Sequence, residues 1–314
     1  MSRTLRDLVG EVAGLLAEAG ADAPRLSAQV LAALVLGCPR MDVLLAPRRL
    51  VSEAEAERIL SLARRRAGGE PLAYITGVRE FYGLEFLVCP GVLIPRPETE
   101  FIVEEVLRAF APDEALRFAD LGTGSGALGV AIAANLPRAR GVLVDTSPAA
   151  LRVARGNAAR NSVDSRLAVV QGDFMASLFR PSSLDLIVSN PPYIGEAELA
   201  DVEPGVLVWE PRQALVAGPT GLEVYPALAA RSWEALRRGG LAFFEMGWKQ
   251  AREVERILRE AGFSDVRSVR DLAGNERIAA GVKGSGASCP ERLAESLLKR
   301  SHTVAGLHHV KRAP

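Results

Sequence analysis

Histidine is almost missing from this sequence. Its three histidines, His302, His308 and His309, all fall within the last thirteen of 314 residues. The body of the chain therefore has no imidazole to act as a general base or a metal ligand. Ser-His-Asp, Cys-His and His-zinc chemistries are excluded there, so we expect a reaction that depends on positioning and charge.

Cysteine is also scarce. Cys38, Cys89 and Cys289 are odd in number, scattered and without the spacing of a metal site. This usage is typical of a reducing compartment. We expect a cytoplasmic protein without a bound metal.

The chain has no excess charge of either sign. Its 38 basic and 38 acidic residues cancel, which argues against direct binding to nucleic acid or an anionic membrane. The N-terminus, "MSRTLRDLVGEVAGLL", has Asp7 and Glu11 within its apolar pattern, which indicates an amphipathic helix and not a signal peptide. With 48% hydrophobic residues, we expect an ordinary globular protein, monomeric by default.

Two structural modules follow from the hydrophobic pattern. Residues 1–75 carry apolar residues at helical spacing, and Ser52 with Glu55 forms a capping box, which predicts a helical N-terminal domain. Residues 76–95 are rich in aromatic and branched residues between glycine and proline breaks, which predicts a β-hairpin linker. The tail, 283–314, is expected to be a flexible extension.

Residues 96–282 alternate strand-like and helix-like runs, which predicts an α/β fold with a doubly wound, Rossmann-like sheet. Two final runs have no helix between them and are expected to pair antiparallel at one edge. The seven predicted strands are 116–121, 141–145, 167–171, 184–190, 241–245, 264–269 and 276–282.

The first strand runs into "DLGTGSGALG". Gly122, Thr123, Gly124, Ser125 and Gly126 then form a strand-to-helix turn, where glycines let backbone N–H groups approach a ligand. The same run, with Gly129, also matches the dinucleotide fingerprint G-x-G-x-x-G. A nicotinamide-dependent enzyme is therefore an alternative, although the sequence shows no residue suited to hydride transfer near the carboxyl ends of the strands.

Acidic and aromatic residues at strand ends favour S-adenosylmethionine instead. Asp120 could order the glycine loop, Asp145 could hold both ribose hydroxyls, Asp173 could accept from the adenine amine, and Phe174 could stack on adenine. Each has a structural alternative: the two first acids could cap helices, and the phenylalanine could belong to the core. All lie at the carboxyl ends of strands, where open α/β sheets bind ligands.

The fourth strand ends in Asn190-Pro191-Pro192-Tyr193. The Asn190 side-chain oxygen and the Pro191 carbonyl could accept the two N–H bonds of a planar amide, and Tyr193 offers it a flat wall. Alone, the motif could be a strand followed by a Pro-Pro turn. Beside a cofactor loop, it indicates methylation of an amide-like nitrogen.

Together these motifs resemble the peptide chain release factor glutamine N5-methyltransferases, a class I S-adenosylmethionine-dependent family. The resemblance spans nearly everything up to residue 282 and includes "PLAYITGVREFYGL", "LIPRPETE", "VSNPPYI", "EPRQALVAGPTGL" and "RDLAGNER". It implies that Gly122 to Gly126, Asp145, Phe174 and Asn190 contact the cofactor and that Asn190 to Tyr193 hold the substrate. Where the family often has tryptophan, this chain has Phe174.

The implied substrate is the glutamine in the Gly-Gly-Gln loop of class I release factors, with S-adenosylhomocysteine as the second product. From the domain architecture we expect the helical domain to recognise the body of the release factor, with a stabilising cap over the sheet as the alternative. A sister family that methylates a large-subunit ribosomal protein usually has PRSP where this chain has "PRPETE". A DNA adenine methyltransferase is a weaker alternative because the chain carries no net charge. A non-catalytic binding protein is a weaker alternative because the cofactor and Asn-Pro-Pro-Tyr motifs are intact.

Overall fold

The chain divides into two compact units within residues 3–284, which the computed structural model describes. The first unit contains the residues up to Arg79 together with Val88–Pro90 and Val202–Glu210. The second contains Glu80–Leu87, Gly91–Asp201 and the residues from Pro211 onward.

The helices are, in chain order, α1 (Leu5–Glu18), α2 (Pro24–Leu36), α3 (Arg40–Leu45), α4 (Glu53–Ala67), α5 (Leu72–Thr76), α6 (Glu100–Ala109), α7 (Ala127–Asn135), α8 (Pro148–Arg160), α9 (Pro204–Trp209), α10 (Arg212–Leu215), α11 (Tyr225–Ala235) and α12 (Ala251–Glu260). Short 3-10 turns lie at Pro97–Thr99, Asp164–Arg166 and Glu196–Asp201. None of the helices described is both long enough and apolar enough to cross a membrane.

The strands are β1 (Arg3–Thr4), β2 (Leu50–Val51), β3 (Val78–Phe81), β4 (Leu84–Leu87), β5 (Arg117–Leu121), β6 (Arg140–Asp145), β7 (Leu167–Gln171), β8 (Leu184–Ser189), β9 (Ile194–Gly195), β10 (Val216–Gly218), β11 (Leu236–Glu245), β12 (Phe263–Arg270) and β13 (Glu276–Lys283).

The first unit is a helical module, as the sequence predicts. Helix α1 buries the apolar face of Leu5, Leu8, Val12 and Leu16, each at most 1% exposed. Helix α4 begins at the expected capping box, in which the Ser52 side chain accepts from the Glu55 N–H and the Glu55 carboxylate accepts from the Ser52 N–H. That pairing satisfies two of the backbone donors that a helix start leaves free.

The segment Val202–Glu210, which carries α9, groups with the first unit although it lies between strands of the second in the sequence. A Cβ at Gly205 would lie 3.7 Å from the carbonyl oxygen of Gly69. The carboxylate of Glu203 opposes the lowering of the Arg66 pKa, which is caused mainly by burial. The helical unit is therefore built from three separate stretches of chain.

The second unit is the expected α/β fold. Its seven-stranded sheet has the order β12-β13-β11-β8-β5-β6-β7. The strands from β11 to β7 run parallel, whereas β13 pairs antiparallel with β11 and β12 pairs antiparallel with β13. The prediction of an antiparallel edge is thus confirmed.

Successive side chains of a strand point to opposite faces of the sheet, so the sheet has one hydrophobic layer on each face. Phe118 and Phe243 pack in the layer that holds α6 and α7, together with part of α8. Ala119 and Phe244 pack on the opposite face with α11 and α12. Burial on both faces leaves the ends of the strands as the place where polar side chains can meet a ligand.

A two-stranded sheet of β3 and β4 matches the β-hairpin expected in this region. The rings of Phe81 and Phe86 meet edge to face, 5.9 Å apart, within the same hydrophobic layer as α6 and α7. The predicted tail, apart from Lys283 and Gly284, and Cys289 lie outside the described residues.

Candidate active site

A cavity of about 310 Å³ lies at the carboxyl ends of the central strands in the second unit. That volume is in the usual range for small-molecule sites, about 300–1,000 Å³. Ten of the residues that the sequence singled out line it: Asp120, Gly122, Thr123, Gly124, Ser125, Asp145, Asp173, Phe174, Asn190 and Pro192.

The glycine loop follows β5 and leads into α7. Gly122, Gly124 and Gly126 all have left-handed backbone conformations, with φ of 71°, 55° and 84°. A side chain is disfavoured at each of these φ values. Gly126 does not line the cavity, but a Cβ there would lie 3.1 Å from the Cβ of Ala154, so this glycine lets the loop pack against α8.

Asp120 orders this loop from beneath. Its Oδ2 accepts from the Thr123 hydroxyl at 2.6 Å and from the Gly129 N–H at 2.9 Å. Its buried Oδ1 has no hydrogen-bond partner within residues 3–284. Burial raises the pKa of this carboxyl to about 6, and the orphaned oxygen marks a place where a ligand or water must supply a donor.

Asp145 ends β6 and holds two backbone groups. Its Oδ2 accepts from the Gly124 N–H at 2.9 Å, and its Oδ1 accepts from the Ser147 N–H at 2.9 Å. The carboxylate is thus tied both to the glycine loop and to the start of α8. The bond to Ser147, the N-cap of α8, agrees with the helix-capping alternative considered from the sequence, whereas the contact with ribose hydroxyls stays a prediction for a side chain on the cavity wall.

Phe174 and Asp173 follow β7 and lie on another wall of the cavity. A Cβ at Gly122 would lie 3.6 Å from Cε1 of Phe174, so the ring covers the bare backbone of the glycine loop. Asp173 Oδ1 accepts from the Met175 N–H at 2.9 Å, which fixes the turn that carries Phe174. The aromatic ring therefore has a defined position beside the loop.

Asn190 lies at the end of β8, half-buried on the cavity wall. Its Nδ2 donates to the Thr99 hydroxyl at 3.0 Å. Among the described residues, its Oδ1 accepts no hydrogen bond. The amide therefore turns its NH2 group to the protein and leaves its acceptor oxygen for another group.

Pro192 lines the cavity beside Asn190, whereas Pro191 and Tyr193 are not part of its wall within the residues the structure describes. Tyr193 instead donates its hydroxyl to Glu245 Oε1 at 3.3 Å, and its carbonyl accepts from Gln250 Nε2 at 2.8 Å. Burial is the main cause that raises the pKa of Tyr193 far above its usual value, so the phenol stays neutral.

Two residues near the rim escaped the sequence reasoning. Thr99 lies in the "PRPETE" segment and Glu245 ends β11, yet the Thr99 hydroxyl donates to Glu245 Oε2 at 2.5 Å. A signal for Glu245 was present, because it ends a strand at the same edge as Asp145 and Asn190. No spacing pattern links residues 146 positions apart, so their pairing could not be read from the sequence.

Two family models match the chain. The PrmC N-terminal domain matches residues 7–77, and the methyltransferase small domain matches residues 99–218. The first falls on the helical stretch and the second contains the glycine loop and Asn190. The two matches therefore cover both kinds of structure seen in the chain.

Curated relatives match over most of their length. The release factor glutamine methyltransferase of Nitratidesulfovibrio vulgaris is 44% identical over 276 residues, which is 87% of this chain and 93% of the relative. The enzyme of the same name from Caulobacter vibrioides is 40% identical over 268 residues, 85% of this chain and 92% of the relative.

A solved structure of low sequence identity supports the assignment of the fold but not that of a function. The catalytic domain of hMettl16, solved in complex with the MAT2A 3'UTR hairpin 6, aligns with a TM-score of 0.54 at 17% identity, over 77% of this chain and 87% of that one. The sequence relatives carry the assignment further. Because these curated proteins are matched nearly end to end at 40% identity or more, the chain belongs to the release factor glutamine methyltransferase family.

Proposed function

We propose that this chain transfers a methyl group from S-adenosylmethionine to the side-chain amide nitrogen of the glutamine in the Gly-Gly-Gln loop of class I release factors. The observation that supports this most directly is the direction of the Asn190 amide. Its NH2 group is committed to Thr99, so its oxygen is left to accept from a substrate at the cavity. An acceptor in that position suits a substrate with an NH2 group.

The cavity fits the cofactor on three counts. Bare glycine backbone at positive φ provides a cradle that side chains would fill, Phe174 adds a flat apolar wall, and Asp120 Oδ1 needs a donor. We assign the cofactor to Asp120, Gly122, Thr123, Gly124, Ser125, Gly126, Asp145, Asp173, Phe174 and Asn190. When bound, S-adenosylmethionine supplies an electrophilic methyl group carried on a sulfonium.

The protein contributes orientation and charge stabilisation. We assign the two N–H bonds of the glutamine amide to Asn190 Oδ1 and the Pro191 carbonyl. Pro192 lies on the cavity wall, and Tyr193 supports the turn from outside that wall through its bond to Glu245. An amide nitrogen becomes positive as it is alkylated, so acceptors that already point at its hydrogens stabilise the transition state without reorganising. The proton can then leave to water, and no imidazole is needed.

The helical unit offers a surface for the body of the release factor. Helix α3 buries Val43 but exposes Met41, Leu44 and Leu45, which are 55%, 43% and 74% exposed. Exposed apolar side chains that cluster on one short helix are typical of a protein contact. We infer that this face of α3 recognises the protein substrate outside its loop.

That inference separates two substrates. With a whole release factor, Leu45→Ser is expected to raise KM about tenfold, the effect of one useful interface side chain, while kcat is kept. With a short peptide of the loop, the variant should equal the unaltered protein. Val170→Ser, at an exposed position of β7 in the other unit, is the matched control. Equal KM values for Leu45→Ser and the control with the whole protein would refute the assignment to α3.

The proposed activity is tested by incubating the protein with labelled S-adenosylmethionine and an unmethylated class I release factor. Mass spectrometry of the loop peptide should find one added methyl group on the glutamine, absent when that glutamine is replaced by alanine. Transfer to a ribosomal protein or to DNA adenine, and none to the release factor, would overturn the proposal.

A further inference from the structure

Glu245 is a buried carboxylate for which the proposed function gives no role. The residue is 1% exposed, at the carboxyl end of β11. Burying such a group is costly unless its oxygens are hydrogen-bonded. Here Oε2 accepts from the Thr99 hydroxyl and Oε1 from the Tyr193 hydroxyl. Both donors are close to Asn190: Thr99 is hydrogen-bonded to it, and Tyr193 ends the same Asn190-Pro191-Pro192-Tyr193 motif.

The direction of these hydrogen bonds determines how Asn190 is turned. A threonine hydroxyl has one proton, and Thr99 gives it to Glu245. Its oxygen can then only accept from Asn190, as the Nδ2 to Oγ1 distance of 3.0 Å records. The negative charge of one buried residue therefore sets the direction of a chain of hydrogen bonds that ends at the cavity.

The same carboxylate steadies the other end of the Asn190-Pro191-Pro192-Tyr193 turn. Tyr193 donates to it through the hydroxyl, and the Tyr193 carbonyl is held separately by Gln250. The backbone carbonyl of Glu245 accepts from the hydroxyl of Tyr225 at 2.8 Å, which anchors the strand end. Glu245 is thus linked to both residues that flank the Pro-Pro turn, directly to Tyr193 and through Thr99 to Asn190.

We propose that Glu245, acting through Thr99, is a positioning residue that keeps the oxygen of the Asn190 amide facing the substrate, and that losing its negative charge allows this amide to turn over. The proposal rests on the proposed function, because it assigns the Asn190 oxygen to a substrate amide. It extends that function to two residues that are assigned neither to the cofactor nor to the substrate amide.

Protonation would reverse the chain of donors. A carboxylic acid can donate to the Thr99 oxygen, which frees the hydroxyl proton to point at Asn190. The Asn190 amide would then accept from Thr99 and turn its NH2 group to the cavity. Two N–H groups cannot satisfy each other, so the substrate amide would lose its acceptor.

The surroundings of Glu245 put this change near neutral pH. Burial is the first cause that raises its pKa to about 7, and the carboxylate of Glu98 raises it further. The hydrogen bonds from Thr99 and Tyr193 and the guanidinium of Arg277 lower it. Tyr225, another ionisable neighbour, stays neutral because burial raises its own pKa well above the usual value. The charge of Arg96 acts on Tyr193, where it opposes the rise of the phenol's pKa.

Two variants isolate the chain of hydrogen bonds. Thr99→Val keeps the shape of the side chain but has no hydroxyl, so kcat should fall about 10- to 100-fold, the effect of losing one buried polar partner. Thr99→Ser restores the hydroxyl and should recover most of that loss. The affinity for S-adenosylhomocysteine, measured by calorimetry, should change less than threefold in both, because Thr99 lies on the cavity wall but is not among the residues assigned to the cofactor.

Glu245→Gln tests the charge. In the unaltered protein, kcat for the release factor should rise with pH with a midpoint near 7, since the carboxylate must be ionised. Glu245→Gln should be slow and lack that rise. Glu105→Gln is the matched control, because Glu105 is equally buried in the same unit but pairs with Arg108 and Arg267 away from Asn190. It should lower stability and keep the pH midpoint.

A readout that needs no substrate separates this proposal from the proposed function. The side-chain NH2 signals of Asn190, identified in ¹⁵N NMR spectra by their loss in Asn190→Ala, should shift with a midpoint near pH 7. They should not titrate in Glu245→Gln. If they titrate as expected but no release factor is methylated, the proposed function fails and the positioning role stands. A pH-independent Asn190 signal, or full kcat in Thr99→Val, would overturn the positioning role.

Discussion

The carboxylate of Asp145 accepts a hydrogen bond from the backbone N–H of Gly124, 2.9 Å away, so the acid at the end of β6 is joined to the glycine loop after β5. The same carboxylate holds the N–H of Ser147. One side chain thereby fixes two walls of the cavity before any cofactor arrives. Such preorganisation lowers the entropic cost of binding.

Replacing Asp145 should therefore weaken the binding of the cofactor. Asp145→Ala removes a charged acceptor, and one hydrogen bond to a charged group contributes about 1.5–3 kcal/mol, which corresponds to about 10- to 100-fold in Kd. We expect that rise for S-adenosylhomocysteine in calorimetry. Asp164→Ala, at an exposed carboxylate of the same unit, should bind normally. Normal affinity in Asp145→Ala would remove this residue from the cofactor site.

Gly129 should not tolerate a side chain, although it lies within α7. A Cβ there would lie 2.2 Å from Cδ2 of the buried Leu143 and 3.2 Å from Asp120 Oδ2. Overpacking of this kind typically costs about 1–3 kcal/mol. Gly129→Ala should accordingly lower the urea midpoint of unfolding.

Gly156 is the matched control for that experiment. It also lies within a helix of the second unit, α8, and its added Cβ would make only an ordinary contact with Leu87 at 3.8 Å. Because alanine favours a helix over glycine by up to about 1 kcal/mol, Gly156→Ala should be neutral or stabilising. Equal destabilisation of both variants would show that the crowding at Gly129 has no effect of its own.

Stability should depend on pH through the two buried acids of the rim. Burial raises the pKa of Asp120 to about 6 and that of Glu245 to about 7, from usual values of 3.8 and 4.5. Between the unfolded and folded pKa values the native state binds more protons than the unfolded state. Their contribution to the free energy of unfolding is therefore largest at low pH and falls as pH rises from about 4 to about 7.

Glu245→Gln removes one of these two contributions. Denaturant titrations of the variant and the unaltered protein should show a difference that shifts in favour of the variant between pH 5 and 8. The part of that difference that does not change with pH reflects lost hydrogen bonds and does not test the raised pKa of Glu245. A difference that stays constant over this range would contradict the raised pKa of Glu245.

Much of the fold could be predicted because local chemistry and the fold agree. The capping box of Ser52 and Glu55 requires only four consecutive residues, and it begins α4 as expected. The central strands of the large sheet are mostly apolar runs between turn signals, and the glycines of the loop take the positive φ values that favour glycine. Each of these features is encoded within a short window of sequence.

The remainder depends on contacts between distant residues. Asn157 is fully buried in α8, where its Nδ2 donates to the carbonyls of Leu87 and Ser125 and its Oδ1 accepts from the Leu87 N–H. An asparagine in a helix carries no signal that it fastens a hairpin and a glycine loop. The pairing of Thr99 with Glu245 is hidden for the same reason.

The segment Val202–Glu210 illustrates the limit for whole modules. Sequence order places it among the strands of the second unit, yet it groups with the helical one. Its composition, with one short apolar helix, has no property that distinguishes the two locations. Only packing against residues such as Gly69 reveals the grouping.

The central claim is that Asn190 holds the substrate amide for methyl transfer. The most direct measurement is the single-turnover rate at which the loop glutamine of an unmethylated release factor gains a methyl group, with saturating cofactor, in the unaltered protein and in Asn190→Ala. We expect the variant to be about 100- to 1,000-fold slower, as when one preorganised polar contact is deleted, while cofactor affinity falls far less. A variant that methylates the glutamine at a near-normal rate would contradict the account.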